Sequence, residues 1–382
     1  MGKQLSTDKL LFYTVVSLVA FGVVMVYSAS SVIAPQGKYE VSPSHFGMLQ
    51  AIWAFASVFC LMLFKRMDYR RLKTPEWAFG GIGAVAIMLV ASYFMDSEKH
   101  RWLHLGVASL QPSEFAKPVI VVFLAYHLTR RIRAVNDWRY TLAGAMLVLI
   151  PLIGGVAVSD LGTAVVLLVT AGITFAVAGL DRRFIILACV LVAFFVSVAV
   201  AAKPYRVGRM IALVDPHHTF LNQIDPGGWV LTYVRSSAAP SDPGFQALQA
   251  KIAVGSGGVT GLGLMNGKQK LFYIPEAHTD FIYAVVGEEL GFAGTTAVVF
   301  GFFIILWRGY RVFLTAPDDF GRFLALGITT MIVFQALFNV SVVLGIAPTK
   351  GIPLPMISYG GSSMLVTLAS VGLLLSVSER SS

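Results

Sequence analysis

Residues 273–294, YIPEAHTDFIYAVVGEELGFAG, run without a break from a polar, charge-bearing segment into an apolar helix. Asp280 stands at the junction with His278 and Thr279 just before it, and two more carboxylates, Glu288 and Glu289, lie inside the apolar run. If that run spans a bilayer, Asp280 sits at the membrane–water interface and Glu288 lies about 12 Å deeper, at 1.5 Å per residue. Ionisable groups at that depth are expensive to keep and mark function by default. Glu288 and Glu289 point about 100° apart on a helix, so at most one of them faces the same cavity as Asp280; they read as structural or coupling residues.

The rest of the chain decides whether the run crosses a membrane. Of 382 residues, 56% are hydrophobic and only 13% charged, against roughly 25% charged in soluble domains. Mean hydropathy is +0.75. The chain is an integral membrane protein by composition. Its net charge of +9 does not point to nucleic acid, because the basic residues fall in short clusters between apolar runs and form no aromatic-interleaved basic surface. Cys60 and Cys189 both lie within apolar runs, so neither a disulfide framework nor a thiolate metal site has support.

The first apolar run, Leu10 to Ala29, is too long for a signal-peptide core and lacks a small-residue cleavage site, so it reads as a retained span. Further runs lie near Phe46 to Phe64, Trp77 to Phe94, Glu114 to Leu128, Leu142 to Val158, Leu161 to Leu180, Phe184 to Ala202, Phe281 to Leu306, Phe323 to Leu344 and Met356 to Val377. The expected fold is an all-α polytopic membrane protein with ten transmembrane helices, one integral membrane domain over residues 1–382. One set of loops, with the termini, carries 17 Lys and Arg, including Lys65, Arg66, Arg130, Arg131, Arg182, Arg183 and Arg308; the opposite short loops carry only Lys38, Lys99, Arg101 and Lys350. The positive-inside rule therefore puts the N and C termini in the cytoplasm. One large extracytoplasmic loop, residues 203–279, lies between helices 7 and 8, and Asp280 stands at the outer face of the cytoplasmic (inner) membrane.

That loop is not a linker by composition. It holds Trp229, Tyr233, Phe245 and an apolar stretch, Ala247 to Val254, before the glycine-rich GSGGVTGLGL of residues 255–264. A folded cap of short membrane-parallel helices fits it. The glycines match neither GxxxxGK[ST] nor a strand-to-helix GxGxxG, so a flexible or close-packed backbone is expected, with no nucleotide or organic cofactor.

Three more polar clusters fall at the outer ends of the runs. In RWLHLGVASLQPSEFAKP (101–118), Pro112 starts a helix, and Glu114 and Lys117, three apart, share a face. They form either a surface capping pair or a pair lining the cavity of Asp280. Asp160 lies between two runs with almost no loop; it caps the next helix, serves as a further carboxylate for a cation or sugar hydroxyl, or does both. In APTKGIPLPMISYGGSS (347–363), prolines and glycines forbid a regular helix at the start, and such backbone survives at membrane depth only against protein or a water-filled cavity. Lys350 and Ser358 are candidate cavity-lining groups, with glycine packing the alternative.

These motifs, from VYSAS (26–30) through RWLHLG, QPSEFAK, DLGTA, YRVGRMIALVDP, GFQALQAKIAVGSGG and PEAHTDFIYAVVGEELG to PTKGIPLPMISYGGSS, resemble those of the SEDS family (FtsW, RodA, SpoVE) from end to end. Val158 and Ser159 depart from the family's usual Gln or Glu and Pro, and Phe245 from a common Tyr, which puts a role for those neighbours in doubt but not one for Asp160. Thr349–Lys350–Gly351 is more similar to the division and sporulation branches (FtsW, SpoVE) than to the elongation branch (RodA). The resemblance implies a ten-span peptidoglycan glycosyltransferase that polymerises lipid II outside the cytoplasmic membrane. It also implies a class B penicillin-binding protein as partner, among other divisome or elongasome membrane proteins, and an essential Asp at 280.

The chemistry fits the residues. A sugar hydroxyl attacking an anomeric carbon needs a base on the acceptor side in an inverting displacement, and Asp280 is the candidate. The departing undecaprenyl diphosphate needs cations: Lys117, Arg206, Arg209 and Lys350 are candidates, with Glu114 and Asp160 positioning Lys117 or holding a metal, and His278, Thr279 and Ser358 beside the substrate. Oxygen-only ligands suit Mg²⁺ or Mn²⁺ over zinc. The rival readings are a lipid II flippase and a non-catalytic scaffold. Charges concentrated near the outer face, without a trail through the spans, favour catalysis over transport.

Overall fold

The computed structural model describes residues 8–32, 34–35, 40–96, 100–105, 108–215, 219, 221, 225, 227–235, 243–270, 277–348 and 351–381. In chain order its helices are α1 (Lys9–Ser30), α2 (His45–Arg66), α3 (Pro75–Met95), α4 (Pro112–Arg131), α5 (Ala143–Ser159), α6 (Leu161–Val177) and α7 (Arg182–Ala201). Three short ones follow, α8 (Pro204–Val214), α9 (Trp229–Arg235) and α10 (Pro243–Ser256), then α11 (Ile282–Thr315), α12 (Asp319–Val343) and α13 (Gly361–Ser381). Each apolar run is thus a helix, and the long connection contains short helices. Among the described residues, seven helices, α1, α2, α3, α7, α11, α12 and α13, are long and apolar enough to cross a membrane. The shorter α5 and α6 are apolar with 17 residues each, while α4 carries Glu114, Lys117, Arg130 and Arg131.

Local chemistry sets the helix starts. Asp8 accepts the Leu11 N–H at 3.1 Å to cap α1, and Asp318 caps α12 through the Gly321 N–H. Pro75 and Pro112 open α3 and α4, where a missing N–H costs nothing. The last apolar run begins later than the sequence suggests: residues 355–357 form a turn and the helix starts at Gly361. Among the described residues, the fold departs from all-α at one place. Strands β1 (Leu103–Leu105) and β2 (Ala108–Leu110) pair antiparallel, Leu103 opposite Leu110. Apolar and polar residues alternate there, and Pro112 prevents α4 from extending back over them.

Helices α12 and α13 are buried over 72% and 78% of their apolar stretches, and α4 is buried along most of its length; α7 has no buried residue. Helix α13 lies along α2, and α12 lies against α11, α4 and α6. Between helices in lipid, close van der Waals contact replaces the hydrophobic drive: Gly327 of α12 meets Val121 of α4, and Gly372 of α13 meets Leu61 of α2. At the helix ends that carry the basic clusters, Arg308 pairs with Asp8 at 2.8 Å, Lys65 with Glu379 at 3.2 Å and Arg380 with Asp68 at 3.5 Å. Tyr69 donates to Asp318 at 2.5 Å beside them.

The 34 residues of α11 are two helices in succession. At Gly291 the backbone turns to φ 63°, ψ −157°, a conformation that favours glycine. Such a break frees backbone groups that nothing in a bilayer core can satisfy. Here the glycine-rich segment satisfies them. Leu262 N–H donates to Glu288 O and Gly263 N–H to Glu289 O, each at 3.0 Å; Phe292 N–H donates to Gly258 O at 2.8 Å and Ala293 N–H to Val259 O at 3.2 Å. Of the two expectations for GSGGVTGLGL, close-packed backbone is the one realised.

Candidate active site

Asp280 lies in a turn, residues 277–281, that leads into α11. Its backbone is fixed from two sides. Asn339 of α12 donates from Nδ2 to Asp280 O at 2.8 Å and to Ile352 O at 2.7 Å. Ser358 donates to Thr279 O at 2.5 Å and accepts the Leu354 N–H at 2.8 Å, while Tyr359 N–H donates to His278 O at 3.0 Å. Gln50 of α2 holds Ser358 O at 3.1 Å. Residues 351–360 therefore run as a brace beside residues 278–280, and proline and glycine keep that brace out of a helix.

The brace also meets the carboxylate itself. A Cβ on Gly351 would collide with the Asp280 Oδ2, so glycine there lets the carboxylate keep this rotamer. Arg209 of α8 comes within electrostatic range of Asp280: burial pushes its guanidinium pKa down, and Tyr205 and the Asp280 charge pull against that shift. It lies over the Tyr205 ring at 5.6 Å. Arg206 instead turns toward α7, with Nε on Tyr205 OH at 3.0 Å and Nη1 on Ala199 O at 2.8 Å. The His278 ring is buried, its centroid 5.0 Å from that of Phe46 and 5.6 Å from that of Tyr359.

Glu114 and Lys117 are not a surface pair. They meet at 2.6 Å, each 1% exposed. Lys117 Nζ also donates to Gln335 Oε1 at 2.7 Å, and Gln335 Nε2 donates to Pro353 O at 2.8 Å. The pair thus reaches the brace through α12. Asp160 serves the junction of α4, α6 and the hairpin. It accepts Gly162 and Thr163 N–H at 3.1 and 3.2 Å, Thr163 Oγ1 at 2.9 Å, and Arg101 and Gln111 at 3.1 Å each. Its capping role is realised, together with a tether. Glu288 and Glu289 both turn toward residues 265–270. Lys350 lies outside the described residues.

The sequence profile of the FtsW/RodA/SpoVE family, described as "Cell cycle protein", matches residues 8–382. The chain belongs to this family. Among its FtsW relatives is the probable peptidoglycan glycosyltransferase FtsW of Trichlorobacter lovleyi, 37% identical over 375 residues, 97% of this chain and 93% of that one. Stage V sporulation protein E of Bacillus subtilis is 35% identical over 385 residues, 99% of each. The fold is similar to a chain of a peptidoglycan synthase complex that coordinates polymerization and crosslinking, with TM-score 0.74, 28% identity and 98% of each chain covered. It is also similar to Thermus thermophilus RodA, with TM-score 0.66 and 24% identity over 98% of this chain and 97% of that one.

Against that family background, the sequence reading missed Gln335 and Asn339. Their signal was present: two amides four apart lie on one face of an otherwise apolar span. Gln50 and Gln111 carried no comparable pattern. Among the described residues, no three His, Cys, Asp or Glu side chains gather into a set that would hold a metal ion.

Proposed function

We propose that this FtsW/RodA/SpoVE family member is a peptidoglycan glycosyltransferase that polymerises lipid II at the outer face of the cytoplasmic membrane, with Asp280 as general base. The observation that carries it is a carboxylate whose backbone is braced from α12 and residues 351–359, with Arg209 brought into range of its charge. An acceptor sugar hydroxyl gives its proton to Asp280 as its oxygen bonds to the donor's anomeric carbon. The bond from that carbon to the undecaprenyl diphosphate oxygen breaks with inversion. Arg209, with Lys350, offsets the charge that develops on the diphosphate, while Arg206, turned toward α7, holds the Tyr205 hydroxyl beside Arg209. Ser358, Thr279 and His278 act behind Asp280 by holding its backbone, and Lys117 with Glu114 acts through Gln335 on the same brace.

The divalent cation belongs to the same reading as a substrate-borne ion. Mg²⁺ is ordinarily held by one or two carboxylates and substrate phosphates and not by an all-protein cage, which agrees with the lack of a three-ligand set among the described residues. The ten-span topology, with both termini cytoplasmic and residues 203–279 outside, draws support from the seven helices long and apolar enough to span, from the shorter apolar α5 and α6 and the 20-residue α4, and from the one-sided Lys and Arg clusters. A class B penicillin-binding protein as partner draws support from the relative found within a synthase complex. The FtsW and sporulation relatives favour a division-type role.

A flippase would draw on the broken helix α11, since discontinuous helices line transport paths. The groups freed by that break are already bonded to residues 258–263, which removes the argument. One assay tests the enzyme. Purified protein, with and without partner, receives lipid II in detergent, where transport has no meaning, and glycan length is read on a gel. Polymer that disappears in Asp280→Asn is expected. A folded, partner-bound complex that makes none sinks the proposal, and flipping in liposomes that survives Asp280→Asn revives the transporter.

A further inference from the structure

Three stretches that stand apart in the sequence, VYSAS, the glycine-rich segment and the Glu288–Glu289 pair, have no part in the chemistry above. In the structure they meet. Glu289 takes Lys270 Nζ at 2.6 Å, Ser28 Oγ lies 2.8 and 2.6 Å from its two oxygens, and Met265 N–H donates to it at 3.1 Å. Lys270 Nζ donates further to Ser28 O at 3.1 Å and Met265 O at 3.0 Å. Glu288 accepts the N–H groups of Lys268 and Gln269 at 2.7 and 3.0 Å. Ser28, Lys270, Glu288 and Glu289 are each at most 1% exposed. These carboxylates and the ammonium are satisfied by protein, so the cluster is built to hold and not to bind.

What it holds is the half-helix 282–290. That piece has Asp280 just before its start and the break at Gly291 at its end, so no continuous helix fixes its register from below. A slip of one residue would move it 1.5 Å and roll it 100°, and a misplacement of about 1 Å is enough to cost roughly a hundredfold in rate. A buried ion pair is weak ground for stability, because desolvation offsets its attraction; a single permitted register is what it specifies best. We propose that Ser28, Lys270, Glu288 and Glu289 are positioning residues that set the height and rotation of Asp280. The strap 257–270 carries the position of α10, which packs on α11 and α12, to the base.

This rests on Asp280 being the base, so the test includes an arm that reads no activity. The Lys270→Met/Glu289→Gln double variant of the full chain removes both charges at nearly constant volume and leaves no orphan charge. Hydrogen–deuterium exchange should quicken in residues 257–270 and 278–293 while α12 and α13 keep their protection. Polymerisation of lipid II should fall in kcat by about 10- to 100-fold, with KM within about twofold. Unchanged exchange at 278–293, unchanged kcat, or protection lost across α12 as well overturns the proposal. Where the double variant does not fold, Ser28→Ala decides in its place: local quickening at 278–293 supports positioning, and none overturns it. Should even the wild-type chain make no polymer, the exchange arm decides alone.

Discussion

A single methyl group tests whether Asp280 works where its brace holds it. In Gly351→Ala the new Cβ meets the Asp280 carboxylate, which can rotate away. Melting should therefore stay close to wild type, while polymerisation falls about a hundredfold. Equal activity in Gly351→Ala and wild type would count against Asp280 as the base. Arg209→Gln should lower kcat by about 10²- to 10³-fold, the loss typical of one stabilising donor. Arg209→Lys should recover part of it, since charge returns without the planar fork. Far from the site, Tyr69 supplies a pH signature. Burial, then the hydrogen bond to Asp318, pushes its phenol up to about 12. The folded pKa lies above the unfolded one, so this contribution is fully present below the ordinary phenol value of 10.0 and is lost as pH rises through about 12. The melting difference between wild type and Tyr69→Phe should hold steady below that range and vanish across it.

Among the elements, Asn339→Leu removes the donor shared by Asp280 O and Ile352 O. It should cost about 1–3 kcal/mol per abandoned carbonyl, read as a lower midpoint in detergent. Helix positions were legible in the sequence because a bilayer demands unbroken apolar length, and each run is a helix with most ends shifted by a few residues, although α11 continues past Leu306 to Thr315. The non-helical brace was legible too, through Pro348, Pro353 and Pro355. The break at Gly291 was not. Glycine inside an apolar helix is common in membranes, and the groups that make this one a break belong to residues 258–263, which only the tertiary fold brings there. The same holds for Glu114 and Lys117: spacing put them on one face, but burial against Gln335 depends on how α4 meets α12.

For the molecule as a whole, the basic clusters between the apolar runs fasten helices to one another. Arg308→Gln leaves Asp8, whose side chain is 2% exposed, without its cation and should lower stability by about 1.5–3 kcal/mol. Lys65→Gln, at a wetter pair, should cost at most about 1 kcal/mol. Thermal melts of the two variants side by side check the order. The patched break in α11 sets a sequence of events in biogenesis. Both halves of α11 must be in place before residues 257–263 have anything to seat upon, and until then four backbone groups at the break lack their partners. Pulse-labelled chain should accordingly gain protease resistance in its helices before it gains it at residues 257–270. Insertion and maturation are then separate steps, and a newly inserted chain is unfinished until residues 257–270 have seated on α11.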